Sequence, residues 1–248
     1  MNFDERFKRK SDLHMHSTYS DGQDSIELMI RTAAMNKMEE IAITDHLYDE
    51  RFMNGKSVDE YFREIDDAAD HYGQVKVLKG VEGTILDSDG GISIPTKAIE
   101  KFELVLVDFA WKAKGIAVDA PLCKTDLMKN ISKAFKNLCA NRHVDIIAHP
   151  FNFGRLIKNF SFDWLKESFL EEIAGYFIEG NKSFEIMNDQ WWWFPELHPD
   201  VVTNEYARIL NVFNSCGVKF TIGSDSHSHQ GIGNRVYSDV LLDAMSKA

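Results

Sequence analysis

The chain has 248 residues, of which 44% are hydrophobic and 27% charged, and its formal net charge is −11 at pH 7. This composition excludes an intrinsically disordered chain and is ordinary for a globular protein. The length suits one domain spanning residues 1–248. The acidic charge makes extended nucleic acid an unfavourable partner, because most of the surface would repel it.

Short apolar runs of β character alternate with longer stretches of helical period, as expected for βα units around a parallel sheet. Seven strands are predicted, centred on Leu13–His16, Ile41–Thr44, Val75–Val81, Leu104–Phe109, Asp145–Ala148, Phe184–Met187 and Lys219–Ile222. Seven helices are predicted between and after them: Ser25–Asn36, Val58–Tyr72, Thr96–Phe102, Lys124–Asn141, Phe162–Ile178, Thr203–Cys216 and Tyr237–Lys247. Leu86–Pro95 is predicted to form a turn or small hairpin. Asp24 and Glu27 predict a capping box at the first helix.

The cysteines and the N-terminus bear on the cellular compartment. Cys123, Cys139 and Cys216 are odd in number and lack metal-ligand spacing, which fits a reducing compartment and no disulfide framework. Residues 1–10 are of mixed charge without an apolar core, so we expect neither a signal peptide nor a membrane anchor. These observations predict a cytoplasmic protein without a membrane partner.

Five histidines and three carboxylates fall at the ends of the predicted strands, where a (β/α) barrel places its chemistry. They are His14, His16, Asp21, His46, Glu82, His149, Asp225 and His227. Imidazoles and carboxylates together suit Zn, Mn or Fe, and ligands that converge from different strands can hold more than one ion. The pattern therefore indicates a metal-dependent hydrolase.

Strand periodicity predicts which of these side chains lie together. Because side chains alternate along a strand, His14 and His16 share one face, and Asp225 pairs with His227 if the last strand continues that far. Three further histidines of the predicted helices and loops are expected at the surface. They are His71, His143 and His198.

The same residues resemble the PHP superfamily, named for its polymerase and histidinol phosphatase members, over almost the whole chain. The motifs that carry the resemblance are Asp12-Leu13-His14-Met15-His16-Ser17, Ser20-Asp21-Gly22, Ile43-Thr44-Asp45-His46, Gly80-Val81-Glu82, Ala148-His149-Pro150 and Gly223-Ser224-Asp225-Ser226-His227. The resemblance implies an α/β fold, a distorted seven-stranded (β/α)7 TIM-like barrel. It also implies two or three divalent metal ions (Zn, Mn or Fe) in a cleft at the strand C-termini.

The resemblance further implies a role for each ligand. It assigns the first metal to His14, His16, Glu82 and Asp225, a second to Glu82 as a bridge with His149, and a third to Asp21, His46 and His227. One position departs from the family: Ala110 stands where members commonly carry a histidine in the fourth strand. The second site is then weak, absent, or completed by water or by Asp108, which lies on the same face two residues earlier.

The chemistry of these ligands favours an anionic substrate. Three carboxylates supply about −3, so three divalent ions leave roughly +3 in the cleft and two leave about +1. The predicted nucleophile is a metal-activated hydroxide, since the pKa of bound water can fall to ~7, and Asp225 is counted as both ligand and catalytic residue. The predicted function is a phosphoesterase for a small phosphomonoester, and the resemblance to the PHP superfamily suggests histidinol phosphate or a nucleotide as examples.

Other residues are candidates for contact with the substrate. Lys112, Arg155 and Arg235 follow strand ends and could bind phosphate, and Arg155 is favoured because its planar fork suits bidentate contact. His229 could protonate the leaving group. Asp45 points away from His46 and is predicted to orient a histidine.

Trp191-Trp192-Trp193-Phe194 cannot all enter one core face. We predict that this segment packs on the barrel rim or forms an oligomer contact, with stacking on substrate as the alternative. Glu185 and Asn188, just before it, are expected to reach toward the cleft without being ligands.

Three alternatives remain open from the sequence. The first is a phosphodiesterase or exonuclease on short nucleic acids, which the acidic surface disfavours. The second is a metal-dependent amidohydrolase, which the Thr44-Asp45-His46 and Asp225-Ser226-His227 motifs argue against. The third is a catalytically impaired metal-binding module, suggested by Ala110.

Overall fold

The computed structural model describes residues 1–4, 10–48 and 50–246. Seven parallel strands form one sheet in chain order: β1 (Ser11–Asp12), β2 (Glu40–Ile43), β3 (Lys76–Thr84), β4 (Leu104–Asp108), β5 (Ile146–Ile147), β6 (Ser183–Met187) and β7 (Lys219–Gly223). The helices that connect or follow them are α1 (Ile26–Met35), α2 (Val58–His71), α3 (Thr96–Ile99), α4 (Lys124–Ala140), α5 (Glu167–Glu179), α6 (Pro199–Cys216) and α7 (Val236–Met245).

The first and last strands meet, which bends the sheet into a nearly closed barrel. Met15 forms a parallel bridge with Ser226, and the His16 N–H donates to the Ser226 carbonyl at 2.8 Å. At the opposite end of β7, Phe3 bridges Phe220. The predicted seven-stranded α/β barrel is therefore confirmed.

Two apolar regions lie on the two faces of the sheet. The barrel interior holds a small cluster: Leu13, Ala42, Leu78, Leu104, Leu106, Ile146 and Ala148. The larger core lies between the sheet and the helices and contains Val105 and Val107 of β4. Because side chains alternate, Leu104, Leu106 and Asp108 share the interior face, so β4 delivers a carboxylate to one end of the barrel. No helix in the described ranges is long and apolar enough to span a bilayer.

Several helix starts differ from the sequence predictions because of capping. Ser25, and not Asp24, caps α1, with its side chain accepting from the Leu28 N–H at 3.3 Å. Helix α6 begins four residues before the predicted Thr203, with Pro199 in its first turn and His198 as its cap. Proline is favoured there because a first-turn N–H has no intrahelical partner.

Other boundaries also shift. Strand β1 is shorter than Leu13–His16 and precedes it, although Met15 still bridges β7. The predicted Phe162–Ile178 helix is divided into a 3₁₀ turn and α5, and α3 has only four residues. The hairpin within Leu86–Pro95 is present, since the Leu86 N–H donates to the Gly91 carbonyl at 2.7 Å.

Candidate metal centre

Four side chains from three parts of the barrel meet in a buried inner set, comprising His14, His16, Glu82 and Asp225. The His14 Nε2 atom lies 3.1 Å from His16 Nε2, 3.2 Å from Glu82 Oε2 and 3.4 Å from Asp225 Oδ1. The His16 Nε2 atom lies 3.3 Å from the same Glu82 oxygen and 3.1 Å from the same Asp225 oxygen. Their side chains are 0–11% exposed.

These spacings fit a bound cation. Four ligand atoms placed tetrahedrally at 2.0–2.2 Å from a zinc ion lie about 3.3–3.6 Å apart. The inner set gives 3.1–3.4 Å for five of its six pairs. The group can therefore accept a tetrahedral ion with small adjustments of side-chain position.

Two candidate ligands occupy backbone conformations that L-residues rarely adopt. Asp225 has φ of 51° and His149 has φ of 29°. Each follows the end of a barrel strand, and such conformations cost on the order of 1–3 kcal/mol and persist only where the surrounding structure enforces them. This backbone conformation directs the side chains of Asp225 and His149 toward the barrel interior, just beyond β7 and β5.

Glu185 of β6 orients two of the histidines. Its Oε1 atom lies 2.8 Å from His14 Nδ1, and its Oε2 atom accepts from the His149 backbone N–H at 3.0 Å. A Cβ atom added to Gly223 would lie 2.1 Å from Glu185 Oε1 and 2.7 Å from His14 Cβ. Glycine is therefore required beside this pair, and sequence reasoning gave Glu185 a place near the cleft but no partner.

A second position lies around the other oxygen of Glu82. Glu82 Oε1 is buried and has no hydrogen-bond partner among the described residues, and His149 Nε2 lies 3.5 Å away. Asp108 joins these two in a group whose ligand atoms all lie within 4.8 Å of one another. Because buried polar atoms are nearly always paired, the orphaned oxygen fits a second cation. Ala110 lines the cleft here, and Asp108 offers the ligand that alanine lacks.

The outer set, Asp21, His46 and His227, is more open. The Asp21 Oδ2 atom lies 3.4 Å from His227 Nε2 and 3.9 Å from His46 Nε2. The exposed fractions are 45%, 15% and 39% for the side chains of Asp21, His46 and His227. The rings of His46 and His227 both stack on His16, at centroid distances of 4.6 and 4.5 Å. The three positions therefore form one continuous cluster.

Asp45 holds the loop between His16 and Asp21 by accepting hydrogen bonds from Ser17 and Ser20. Its Oδ1 atom accepts from the Ser17 N–H at 2.8 Å and from the Ser20 hydroxyl at 2.6 Å, and its Oδ2 atom accepts from the Ser17 hydroxyl at 2.7 Å. The predicted contact of Asp45 with a histidine is made through Ser20, whose hydroxyl also lies 3.5 Å from His16 Nδ1. Asp45 also fixes the turn between His16 and Asp21.

The electrostatics of the inner set are strongly coupled. Burial opposes the charge of His16, but the hydrogen bonds that it donates to Asp225 and Glu82 outweigh burial and raise its pKa to about 10. At His149 and His14 burial likewise opposes the charge, but the neighbouring carboxylates outweigh it and raise the pKa of His149 to about 9 and that of His14 well above its ordinary value. Without cations the histidines therefore hold protons that a metal would have to displace.

The pKa values of the carboxylates shift in opposite directions. Burial opposes ionisation of Glu82 and Asp225, yet the neighbouring histidines lower both pKa values below their ordinary range. Burial and the charge of Glu82 raise the pKa of Asp108 to about 7. Asp108 therefore ionises near neutral pH, where a cation at the second position would favour its charged form.

The metal centre forms the floor of a cleft of about 800 Å³. Lys112 lines this cleft, with Nζ 3.9 Å from the centroid of the Tyr48 ring. Trp191, Trp192 and Trp193 line it as well, whereas Phe194 packs on Phe162 at a centroid distance of 4.7 Å. The aromatic segment thus combines rim packing with exposure to the cleft.

Three other predicted substrate residues do not line the cleft. The Arg155 Nε–H donates to the Trp192 carbonyl at 2.8 Å, and Arg235 pairs with Asp239 at 3.3 Å. The side chain and backbone N–H of His229 both contact Asp24 Oδ2 at 2.8 Å. This geometry does not support direct phosphate contact by either arginine or proton donation by His229, because intramolecular partners hold all three elsewhere.

The remaining predicted positions are also accounted for. The Asn188 side chain accepts from the Tyr237 N–H at 2.9 Å. This hydrogen bond joins the end of β6 to α7, so the Asn188 oxygen is directed to the helix and not to the cleft. His71 and His198 are exposed, and His143 is half-buried.

Comparisons with known proteins agree with this site. Residues 12–243 match the model of the PHP domain family. A protein named probable phosphatase from Acetivibrio thermocellus is 28% identical over 229 residues, which cover 91% of this chain and 83% of that protein. The DNA polymerase/3'-5' exonuclease PolX of Bacillus subtilis is 34% identical over 151 residues, but they cover 60% of this chain and only 24% of that relative.

A solved structure shares the fold. The histidinol phosphate phosphatase of Lactococcus lactis, crystallised with zinc, L-histidinol and phosphate, superimposes with a TM-score of 0.68 at 20% identity, over 96% of this chain and 93% of that one. The match of the family model covers nearly the entire chain and includes every candidate ligand. The chain therefore belongs to the PHP domain family.

Proposed function

We propose that this protein is a metal-dependent phosphoesterase that hydrolyses a small phosphomonoester. The observation that carries the proposal is the inner set, whose five measured donor separations of 3.1–3.4 Å fit a tetrahedral cation. The orphaned Glu82 Oε1 atom adds support for a second cation close to the first.

We propose distinct positions for the ligands. His14, His16, Glu82 and Asp225 would hold one cation, Glu82 would also reach a second with His149 and Asp108, and Asp21, His46 and His227 would hold a third. Bound divalent cations would supply an acidified water and would neutralise negative charge on the phosphoryl oxygens. The identity of the cations, Zn, Mn or Fe, is part of the proposal.

The protein's own groups prepare this chemistry. With Nδ1 of His14 held by Glu185 at 2.8 Å, its Nε2 atom is left to face the cluster. The buried floor excludes bulk water, which strengthens electrostatic interactions with an anion. Lys112 at the mouth adds a positive charge for the phosphate.

The names of similar proteins support phosphomonoesters over other substrates. A relative that this chain matches over 83% of the relative's length carries the name probable phosphatase, and a solved structure that shares the fold is a histidinol phosphate phosphatase. Histidinol phosphate and nucleoside monophosphates are therefore the first substrates to test. Short oligonucleotides test the alternative phosphodiesterase activity.

The test is phosphate release from protein loaded separately with Zn, Mn and Fe. The panel contains histidinol phosphate, nucleoside monophosphates, sugar phosphates and short oligonucleotides. We expect release from monoesters that is absent in Asp225→Ala and His14→Ala, which also controls for contaminating phosphatases. Release that persists in both variants, or no release despite full metal occupancy, would contradict the proposal.

A further inference from the structure

A continuous aromatic wall leads from the metal centre to the mouth of the cleft. The ring of His149 lies 5.5 Å from Trp193, and Trp193 lies 6.2 Å from Trp111 and 5.0 Å from Trp192. Trp193 is 7% exposed, whereas Trp111 and Trp192 are 55% and 43% exposed. The wall therefore starts at a buried candidate ligand and ends in open indole surface.

The cleft has other aromatic and apolar lining. Tyr48 stacks on His46 at a centroid distance of 5.7 Å and lies under the Lys112 ammonium. Met53, 61% exposed, also lines the opening. Exposed apolar surface that is gathered at one cleft and rimmed by polar groups is typical of a binding site.

The wall is fixed before any ligand binds. The Arg155 guanidinium lies 4.1 Å from the centroid of the Trp192 ring, and its Nε–H donates to the Trp192 carbonyl. Trp191 and Trp192 belong to the 3₁₀ turn Gln190–Trp193, and Gln190 donates to the buried Tyr206 hydroxyl. A preorganised aromatic surface gains affinity because its side chains lose little freedom when a ring covers them.

We propose that this wall binds a planar aromatic ring carried on the leaving group of the phosphomonoester, as in a nucleoside monophosphate. This inference rests on the proposed function, which places the phosphate at the metal centre. Trp193 lies between His149 and both Trp111 and Trp192, so a ring stacked on either of these two indoles lies farther from the metal centre than Trp193. A sugar or a short alkyl linker would span the distance between this ring and a phosphate at the metal centre. An aliphatic phosphate would leave the indoles uncovered.

Two substrates isolate the contribution of the ring. Adenosine 5′-monophosphate and ribose 5-phosphate share the phosphate and the ribose 5-oxygen and differ in the base. We expect the wild-type protein to prefer the nucleotide by about 10–100-fold in kcat/KM, the range of base stacking on aromatic side chains. A wild-type ratio near one would overturn the proposal.

Variants locate the effect in the wall. In the double variant Trp111→Leu, Trp192→Leu the ratio should fall to within about threefold of one, mainly through a higher KM for the nucleotide, because a remote ring is bound equally in ground and transition states. Trp164→Leu is the matched control: Trp164 packs on Phe160 at 5.7 Å and is not among the residues that line the cleft. An unchanged ratio in the double variant would contradict the proposal.

Binding of adenosine separates this inference from the proposed function. Calorimetric titration with adenosine requires no turnover, and we expect binding that weakens at least about tenfold in the double variant and is unchanged in Trp164→Leu. If no phosphomonoester of the panel is hydrolysed, the proposed function fails while adenosine binding still tests the wall. If both are hydrolysed equally and adenosine does not bind, the wall proposal fails and the phosphoesterase stands.

Discussion

The inner and outer sets of candidate ligands differ in the elements that hold them. The inner set lies at barrel strand ends, is 0–11% exposed, and is oriented by the buried Glu185. The outer set contains Asp21 and His227, which lie on loops and are 45% and 39% exposed. Strand ends fix ligands more precisely than loops. We therefore infer that the inner set holds its ion tightly and that the outer set exchanges its ion.

The largest expected effect comes from removing an inner ligand. Asp225→Asn replaces an oxygen that lies 3.1 Å from His16 Nε2 and 3.4 Å from His14 Nε2. We expect kcat/KM for phosphomonoesters to fall on the order of 10³-fold or more, with loss of the tightest metal equivalent. Metal content after dialysis and phosphate release are the measurements.

The matched outer variant is Asp21→Asn. It should remove the weakest metal equivalent and leave the tightest one bound, because Asp21 is 45% exposed and its Oδ2 atom faces His227 and His46 of the outer set. Equal losses of tightly bound metal in Asp21→Asn and Asp225→Asn would erase the distinction between the two sets.

The pH dependence of metal affinity should also distinguish the inner set from the outer set. The pKa of His16 is raised to about 10 and that of His14 well above its ordinary value, so cation binding at the inner set displaces about two protons near neutral pH. Burial lowers the pKa of His46, whereas the hydrogen bond to Asp21 outweighs burial and raises the pKa of His227, so the outer set holds fewer protons than the inner set. Inner-set affinity should therefore rise more steeply with pH than outer-set affinity, measured by competition with a chelator.

Metal affinity should rise with pH, whereas the stability of the metal-free protein should fall as the pH rises above neutral. Histidines whose folded pKa is raised stabilise fully below their unfolded pKa, near 6.5, and lose this contribution as pH rises through 9–10. Asp108, with its pKa raised to about 7, acts in the same direction. The lowered pKa values of Glu82 and Asp225 give stability that is lost in acid, below about pH 4. The Tm of the metal-free protein should therefore be highest near pH 5–6.5, and a Tm that rises steadily to pH 9 would refute this.

A smaller effect is expected from the carboxylate that orients the inner set. Glu185→Gln keeps the size of the side chain but removes the charge 2.8 Å from His14 Nδ1. Loss of such a partner typically costs about 10–100-fold in metal affinity. The control is Glu172→Gln, an exposed carboxylate of α5 that contacts Tyr176, which should retain wild-type affinity.

The smallest effect is expected from the loop contacts of the outer set. Asp24 accepts from the His229 N–H at 2.8 Å, and the Gln23 N–H donates to the His227 carbonyl at 2.8 Å, so these contacts join the two loops. Asp24→Ala should weaken the outer metal by a few-fold, because it removes both part-buried contacts of Asp24 with His229 but no candidate ligand. Ser25→Ala should instead destabilise α1 by about 1 kcal/mol without changing metal affinity.

The two sets also differ in how far the sequence could predict them. Apolar runs and the alternation of side chains identified the strand ends and placed His14 and His16 together, as the structure does. Asp24 and Ser25 are adjacent and both can cap a helix, so the sequence pattern could not choose between them. The choice depends on His229, which is more than 200 residues away in the chain and reaches Asp24 only in the folded protein.

The roles of Glu185 and Arg155 depended on the path of the chain in three dimensions. Glu185 lies in a short buried strand, where a lone carboxylate gives no sign of its partner, and it meets His14 across the barrel. Arg155 follows a strand end, which favoured a role in phosphate binding, but the loop turns it onto Trp192. Long-range contacts of this kind have no local signal in a single sequence.

The most direct test of the metal-dependent phosphoesterase is a stepwise titration of the metal-free protein with Zn, and separately with Mn and Fe, in which bound metal and phosphate release are measured on the same samples. We expect no release from the metal-free protein and activity that appears as the buried inner set fills and increases with later equivalents. Release by the metal-free protein, or full occupancy without hydrolysis of any phosphomonoester, would contradict the central claim.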